Sequence, residues 1–142
     1  MMRKEITVKE EHEVLSLIND VAFANVPAWY DATRKTLKMS IVCPKVKKDH
    51  EPMPLMVWVC GGAFRLVDRA VWVPEMIYFA RKGYVVASVE YRTSPEAEFP
   101  GALCDVKAAI RYLRAHAEDY CIDPERVVIM GESAGGALAS LV

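Results

Sequence analysis

The sequence predicts an α/β fold: a mainly parallel sheet with antiparallel N-terminal strands at one edge and helices on its faces. Three observations carry this. From Leu55 onward, short unbroken apolar runs alternate with stretches of helical spacing. Parallel strands need crossovers, so such alternation builds a parallel sheet. Before Leu55, residues 37–42 alternate apolar and polar side chains, the pattern of a half-exposed strand. The chain has 142 residues, 53% hydrophobic and 26% charged, which suits a single globular domain and excludes a disordered one.

The elements follow in order. Residues 21–26 and 37–42 are expected as strands, the second with Leu37, Met39 and Ile41 on one face and Lys38 and Ser40 on the other. Pro27 and the polar stretch 31–35 can turn the chain back, so the pair should be antiparallel. Residues 45–54 (KVKKDHEPMP) form a polar connection. It divides the leading strands, 1–54, from a βαβαβα core, 55–142, within one domain spanning 1–142. Residues 55–60 are continuously apolar, as a strand covered on both faces must be, and Gly61-Gly62 ends them. Pro74 can open a helix and Gly83 close it. Residues 84–89 read as a second buried strand. Over 101–117 apolar residues fall at Leu103, Val106, Ile110, Leu113 and Ala117, with Lys107, Arg111 and Arg114 turned outward, which is helical spacing. Asp123-Pro124 marks a turn before a third strand at 126–131, and 134–142 begins a small, apolar, buried helix.

Charge and composition narrow the function. With 18 basic and 19 acidic residues the formal net charge is -1, so no basic field draws nucleic acid. No apolar run reaches the ~18–20 residues of a membrane span. The N-terminus, MMRKEITVKEEHEV, follows its early positive charges with acids and not with an apolar stretch. No signal peptide is expected, and the default location is cytoplasmic. Cys43, Cys60, Cys104 and Cys121 are scattered, with no CxxC pair. They are expected to be reduced and mostly buried, with no zinc site.

The sharpest motif is Gly131-Glu132-Ser133-Ala134-Gly135, a G-x-S-x-G match. At roughly 7% usage per residue type, a chance match in this length is about one in twenty. Its setting adds weight, because a strand runs into it and a helix follows. A serine held on such a turn stands exposed at the end of its strand, above the free N–H groups of a helix N-terminus. Ser133 is therefore the candidate nucleophile. The plain alternative is a small-residue packing turn. The second motif is Cys60-Gly61-Gly62-Ala63-Phe64, directly after the first buried strand. Acyl transfer needs backbone N–H groups aimed at a developing oxyanion, one set after the nucleophile and another after an earlier strand. Ala134 and the Gly61 and Gly62 loop fit those places; an ordinary Gly-Gly turn is the alternative.

Taken with three further stretches, these motifs resemble the α/β-hydrolase superfamily. The branch is that of esterases and lipases that includes hormone-sensitive-lipase-like and bacterial feruloyl-esterase-like proteins. The stretches are Glu90-Tyr91-Arg92-Thr93-Ser94-Pro95-Glu96, similar to the family's D-Y-R-x-x-P-E, then the helix core DVKAAIRYLRAHA at 105–117 and IDPERV at 122–127, with the serine motif extending to GESAGG at 131–136. Phe99-Pro100 opens the helix between them. The resemblance covers residues from about 55 to the end. It implies an α/β-hydrolase fold and carboxylic-ester hydrolysis through a serine acyl-enzyme, with a small-molecule ester as substrate and no metal or organic cofactor. The family's oxyanion loop begins with His and has three glycines; here Cys60 stands for the His and Ala63 for the third Gly.

In this fold the triad follows the order Ser, acid, His. After Ser133 only AGGALASLV follows, without acid or histidine. His12, His50 and His116 are expected as solvated surface residues and not as bases. The expectation is an N-terminal part of a longer hydrolase, truncated after the nucleophile elbow and inactive alone. A peptidase of the same fold, or a non-catalytic remnant serving as a binding module, are the rivals. Arg92 and Asp105 are expected to pair beneath the loop; Glu132, to be a salt-bridge or rim residue; Trp58 and Trp72, to be core or pocket-wall residues; Glu10, Glu11 and Glu13, to form a solvated face.

Overall fold

The computed structural model describes residues 6–7, 13–46, 48 and 50–142. Strands β1 (Leu15–Ala28) and β2 (Thr33–Pro44) form an antiparallel hairpin, longer at both ends than the pattern predicts. Two irregularities in its register, after Ile18 and after Ala22, bend the outer strand. Strand β3 (Met53–Val59) lies parallel to both β4 (Val85–Val89) and β5 (Ile122–Gly131). The sheet order is β1-β2-β4-β3-β5, and β2 joins β4 antiparallel. The sheet is therefore mixed. β2 alone runs against the other four strands, so β1, β3, β4 and β5 all end at one carboxyl edge.

Helices cover both faces. α1 (Val73–Ala80) packs Met76 and Ala80 against Val42, Met56 and Val86. On the other face α2 (Gly101–Ala115) and α4 (Ala134–Leu141) bring Val106, Ala109, Leu113 and Leu138 onto Leu55, Val57, Val59 and Val85. Each fully buried Val or Leu contributes about 1.5–3 kcal/mol, so this three-layer core holds the strand ends in place. Every residue of β4 is buried, as a continuous apolar run requires between two helical layers.

Three expectations need correction. The Lys38 and Ser40 face of β2 is not half-exposed throughout: Ser40 is 3% exposed, because Arg69 folds over it and donates to its Oγ at 2.6 Å. The Asp123-Pro124 turn sits inside β5. Pairing passes from Pro54 with Asp123 to Leu55 with Val127, so the intervening residues bulge out of the ladder. The Asp123 carboxylate stabilises the bulge by accepting from Glu125 N–H at 3.0 Å and Arg126 Nε at 2.5 Å. The expected helix over 101–117 breaks at His116, and a short α3 (Ala117–Tyr120) follows. No described helix is long and apolar enough to cross a membrane.

Candidate active site

β5 stops at Gly131, and α4 starts at Ala134. Ser133 between them has φ +52° and ψ −123°, a conformation that L residues rarely adopt. The tightness has a steric cause. A Cβ on Gly135 would stand 1.9 Å from the Val59 carbonyl oxygen, and one on Gly131 would stand 2.5 Å from the Gly135 backbone. Only glycine lets β5, α4 and the end of β3 meet this closely. Ser133 is exposed, while Ala134 and Gly135 behind it are buried. Ala134 is the first residue of α4, so its N–H has no partner within the helix.

The loop after β3 lies against this turn, at the same carboxyl edge. Its backbone is unusual at three consecutive residues: φ is +138° at Gly62, +53° at Ala63 and +59° at Phe64. Three contacts hold it. Tyr91 Oη donates to the Cys60 carbonyl at 2.8 Å. Glu132 Oε1 accepts the Gly61 N–H at 2.9 Å. Ser94 N–H donates to the Phe64 carbonyl at 2.7 Å. Tyr91 is fully buried, and burial pushes its phenol up to about 12, so it stays a donor. Burial likewise raises the Cys60 thiol, which keeps it neutral and unreactive beside the loop.

These contacts divide the sequence-predicted donors. Among the described residues the Ala134 and Gly62 N–H groups have no acceptor, whereas the Gly61 N–H is already committed to Glu132. The Ala63 N–H has no acceptor among the described residues and joins Gly62 as an available donor. Glu132 has no ion-pair partner among the described residues and is the acceptor that joins the two turns. The Glu132 and Tyr91 contacts escaped sequence reasoning, since nothing in local spacing says what a side chain meets across the sheet.

Beneath the loops, Arg92 grips the buried Asp105 through Nη2 at 2.8 Å and Nε at 2.9 Å. Its Nη1 also reaches the Pro27 carbonyl at 2.8 Å, tying the end of β1 to the loop after β4. The expected pairing is present. That carboxylate raises the Arg92 guanidinium further above its ordinary range. Trp58 and Trp72 pack with ring centroids 5.5 Å apart. An apolar cavity of about 250 Å³ adjoins the loop, walled by Phe64, Phe99, Ala102 and Leu138.

The histidines lie elsewhere. His50 precedes β3 and pairs through Nε2 with Glu13; His116 ends α2, with Nδ1 3.1 Å from Asp119 Oδ2 and its ring against Tyr112. Both are at the amino edge, a strand length (on the order of 15 Å) from Ser133. His12, Glu10 and Glu11 lie outside the described residues. Cys43, Cys60 and Cys121 are buried and Cys104 exposed, with no disulfide. Among the described residues no group of three or more His, Cys, Asp and Glu could hold a metal ion.

Known proteins share this arrangement. The BD-FAE family model matches residues 39–142. A probable carboxylic ester hydrolase, LipM of Mycobacterium tuberculosis, is 36% identical over 89 residues, which are 62% of this chain and 21% of that protein. Lipase 2 of a Moraxella species is 46% identical over 63 residues, 44% of this chain and 14% of that protein. Among solved structures, a bacterial heroin esterase superposes with a TM-score of 0.71 at 36% identity, covering 89% of this chain and 38% of that one. Esterase 2 of Thermogutta terrifontis, phosphonylated by cyclosarin, gives 0.74 at 28% identity, covering 85% and 44%. The chain therefore spans less than half the length of these relatives. With its sheet order, its strained serine turn and its glycine loop all placed at one edge, the chain belongs to the BD-FAE family, in the esterase and lipase branch of the α/β-hydrolases.

Proposed function

We propose that this chain carries the nucleophile and oxyanion-binding part of a serine carboxylic-ester hydrolase. The observation that carries the reading is Ser133, exposed at φ +52° beside a loop whose Gly62 and Ala63 N–H groups have no acceptor among the described residues. Ser133 Oγ would attack the ester carbonyl carbon while its proton passes to a base. The N–H groups of Ala134, Gly62 and Ala63 would hold the resulting oxyanion. The alcohol would leave with the proton, and water would then release the acid from the acyl-enzyme. The names of the relatives, esterases and lipases, favour an ester over a peptide bond.

The base is the open part. Neither His50 nor His116 is at the carboxyl edge, so we assign the histidine and acid to polypeptide outside these 142 residues. Without them Ser133 keeps its proton at neutral pH and is a poor nucleophile. That observation also favours a second reading for the chain by itself, a hydrolase-fold module that binds and does not turn over. The purified chain should hydrolyse an activated acetyl or butyryl ester no faster than its Ser133→Ala variant. A form extended by the missing histidine and acid should show turnover that the same change abolishes. Serine-dependent turnover by the 142-residue chain would overturn the assignment of the base. Turnover by the extended form that survives Ser133→Ala would overturn the nucleophile.

A further inference from the structure

Glu132 precedes the proposed nucleophile, and its carboxylate crosses to the loop after β3 to accept the Gly61 N–H at 2.9 Å. We infer that Glu132 is a positioning residue: it clips the glycine loop to the serine turn by consuming the Gly61 N–H, and so leaves the next N–H groups, those of Gly62 and Ala63, to face a reacting carbonyl. This rests on the hydrolase reading above and adds to it the part that sets the loop's register.

The clip is built on both sides. A Cβ on Gly61 would fall 2.5 Å from Glu132 Oε1 and 2.8 Å from the Glu132 carbonyl oxygen, so position 61 has to be glycine for the carboxylate to close in. The neighbouring anchors leave little choice of register. Cys60 O is held by Tyr91, Phe64 O by Ser94 N–H, and Gly62 O accepts from both Arg65 and Leu66 N–H, at 2.9 and 3.0 Å. Between these fixed points the N–H groups of Gly62, Ala63 and Phe64 lack an acceptor among the described residues. Gly62 and Ala63 sit at positive φ, +138° and +53°. An ionised carboxylate is the stronger acceptor for Gly61, because charge-assisted bonds are shorter and stronger than neutral ones. It lies close to Cys60 and Tyr91, and its negative charge adds to what burial does in keeping both protonated.

Amide hydrogen exchange by NMR on the 142-residue chain tests this without any turnover. Four forms are compared: the native chain, Glu132→Gln, Glu132→Asp and Glu132→Ala. Gln keeps an acceptor oxygen at the same reach; Asp keeps the charge and loses the reach. The Gly61 amide should be protected in the native chain and in Glu132→Gln. It should exchange roughly tenfold to a hundredfold faster in Glu132→Asp and Glu132→Ala, the range expected for losing a bond to a charged acceptor. The other changes should be confined to residues 60–64, and Gly62 and Ala63 should exchange rapidly in every form. If Glu132→Ala does not fold, the Asp and Gln forms decide. Unchanged Gly61 protection in Glu132→Asp, or protection lost equally in Glu132→Gln, would overturn the clip. So would slow exchange of Gly62 and Ala63 in the native chain. A failed hydrolysis assay would leave this result standing, and a failed clip would leave Ser133 as the proposed nucleophile.

Discussion

At the carboxyl ends of the strands the backbone takes positive φ at Trp29, Tyr30, Asp31, Ala63, Phe64 and Ser133, whereas at the amino ends Cys121 alone among the described non-glycine residues does so. Exposed large apolar side chains are unevenly divided, with Val14 and Val46 beside the amino edge and more of them at the other. Trp29, Tyr30, Phe64, Leu66, Val71 and Phe99 all project from carboxyl-edge loops. The amino edge carries exposed side-chain pairs: His50 with Glu13, His116 with Asp119 and Arg126 with Asp123. Left-handed conformations and exposed apolar surface both cost free energy, and they persist where surrounding packing enforces them. The amino-edge connections only have to turn the chain. The carboxyl edge is where sites on open α/β sheets gather, and here it holds the serine turn and the glycine loop together.

The difference can be broken most severely at glycine. Gly135→Ala drives a Cβ into the Val59 carbonyl, and neither backbone can move. Urea unfolding should show a loss of roughly 4 kcal/mol or more, the range of severe steric changes. At the amino edge Gly83, with φ +90° and nothing within 4 Å of its would-be Cβ, should lose only about 1–2 kcal/mol on the same change, the cost of a left-handed Ala. Equal losses at the two glycines would erase the distinction.

Ion pairs should separate next. Asp105 is 1% exposed and takes three hydrogen bonds from Arg92, two from the side chain and one from the backbone N–H. Asp105→Ala removes the buried partner of a half-buried guanidinium and should cost about 3 kcal/mol. Asp119→Ala, on the exposed amino-edge pair, should stay within about 0.5 kcal/mol. A large Asp119 effect in denaturant titration would mean that the amino edge is more than connection.

A smaller effect has the opposite sign. Ser133→Gly removes the proposed nucleophile and also relieves the φ +52° backbone, so the chain should gain about 1 kcal/mol in the same titration. A loss of stability there would mean that the turn holds no strain.

The smallest contrast is in acid. Lys35, bonded at 2.8 Å, and Thr93 hold the Glu96 carboxyl below its usual range, although burial pushes the other way. A depressed folded value means that this stabilisation is present above the ordinary carboxylate range and is lost as pH falls through the lowered one. Lys35→Met should therefore move the midpoint of acid unfolding, followed by circular dichroism, to higher pH. An unmoved midpoint would show that the pair does not brace the hairpin against the loop after β4.

Much of the fold was legible because the signals were local. The apolar run 55–60 and the helical spacing over 101–117 became β3 and α2 within a residue or two. The polar face of β2 was misjudged, since covering Ser40 depended on Arg69, 29 residues away in sequence. The turn at Asp123 was legible, but its place inside β5 was not, because a bulge exists only relative to a partner strand.

The sequence by itself determined the elements, their order and the serine turn, because periodicity, proline and glycine act on the few residues around them. It also determined that no histidine or acid follows Ser133 within these 142 residues. Only the tertiary structure decided which N–H groups of the loop stay free. Gly61 and Gly62 are equivalent as letters, and Ala63 reads as a departure from a glycine. Glu132 distinguishes them across 71 residues of chain, by reaching one N–H and leaving the next two open. A hydrogen bond depends on distance and direction in space, and residue spacing along the chain fixes neither until the sheet has brought β3 and β5 side by side.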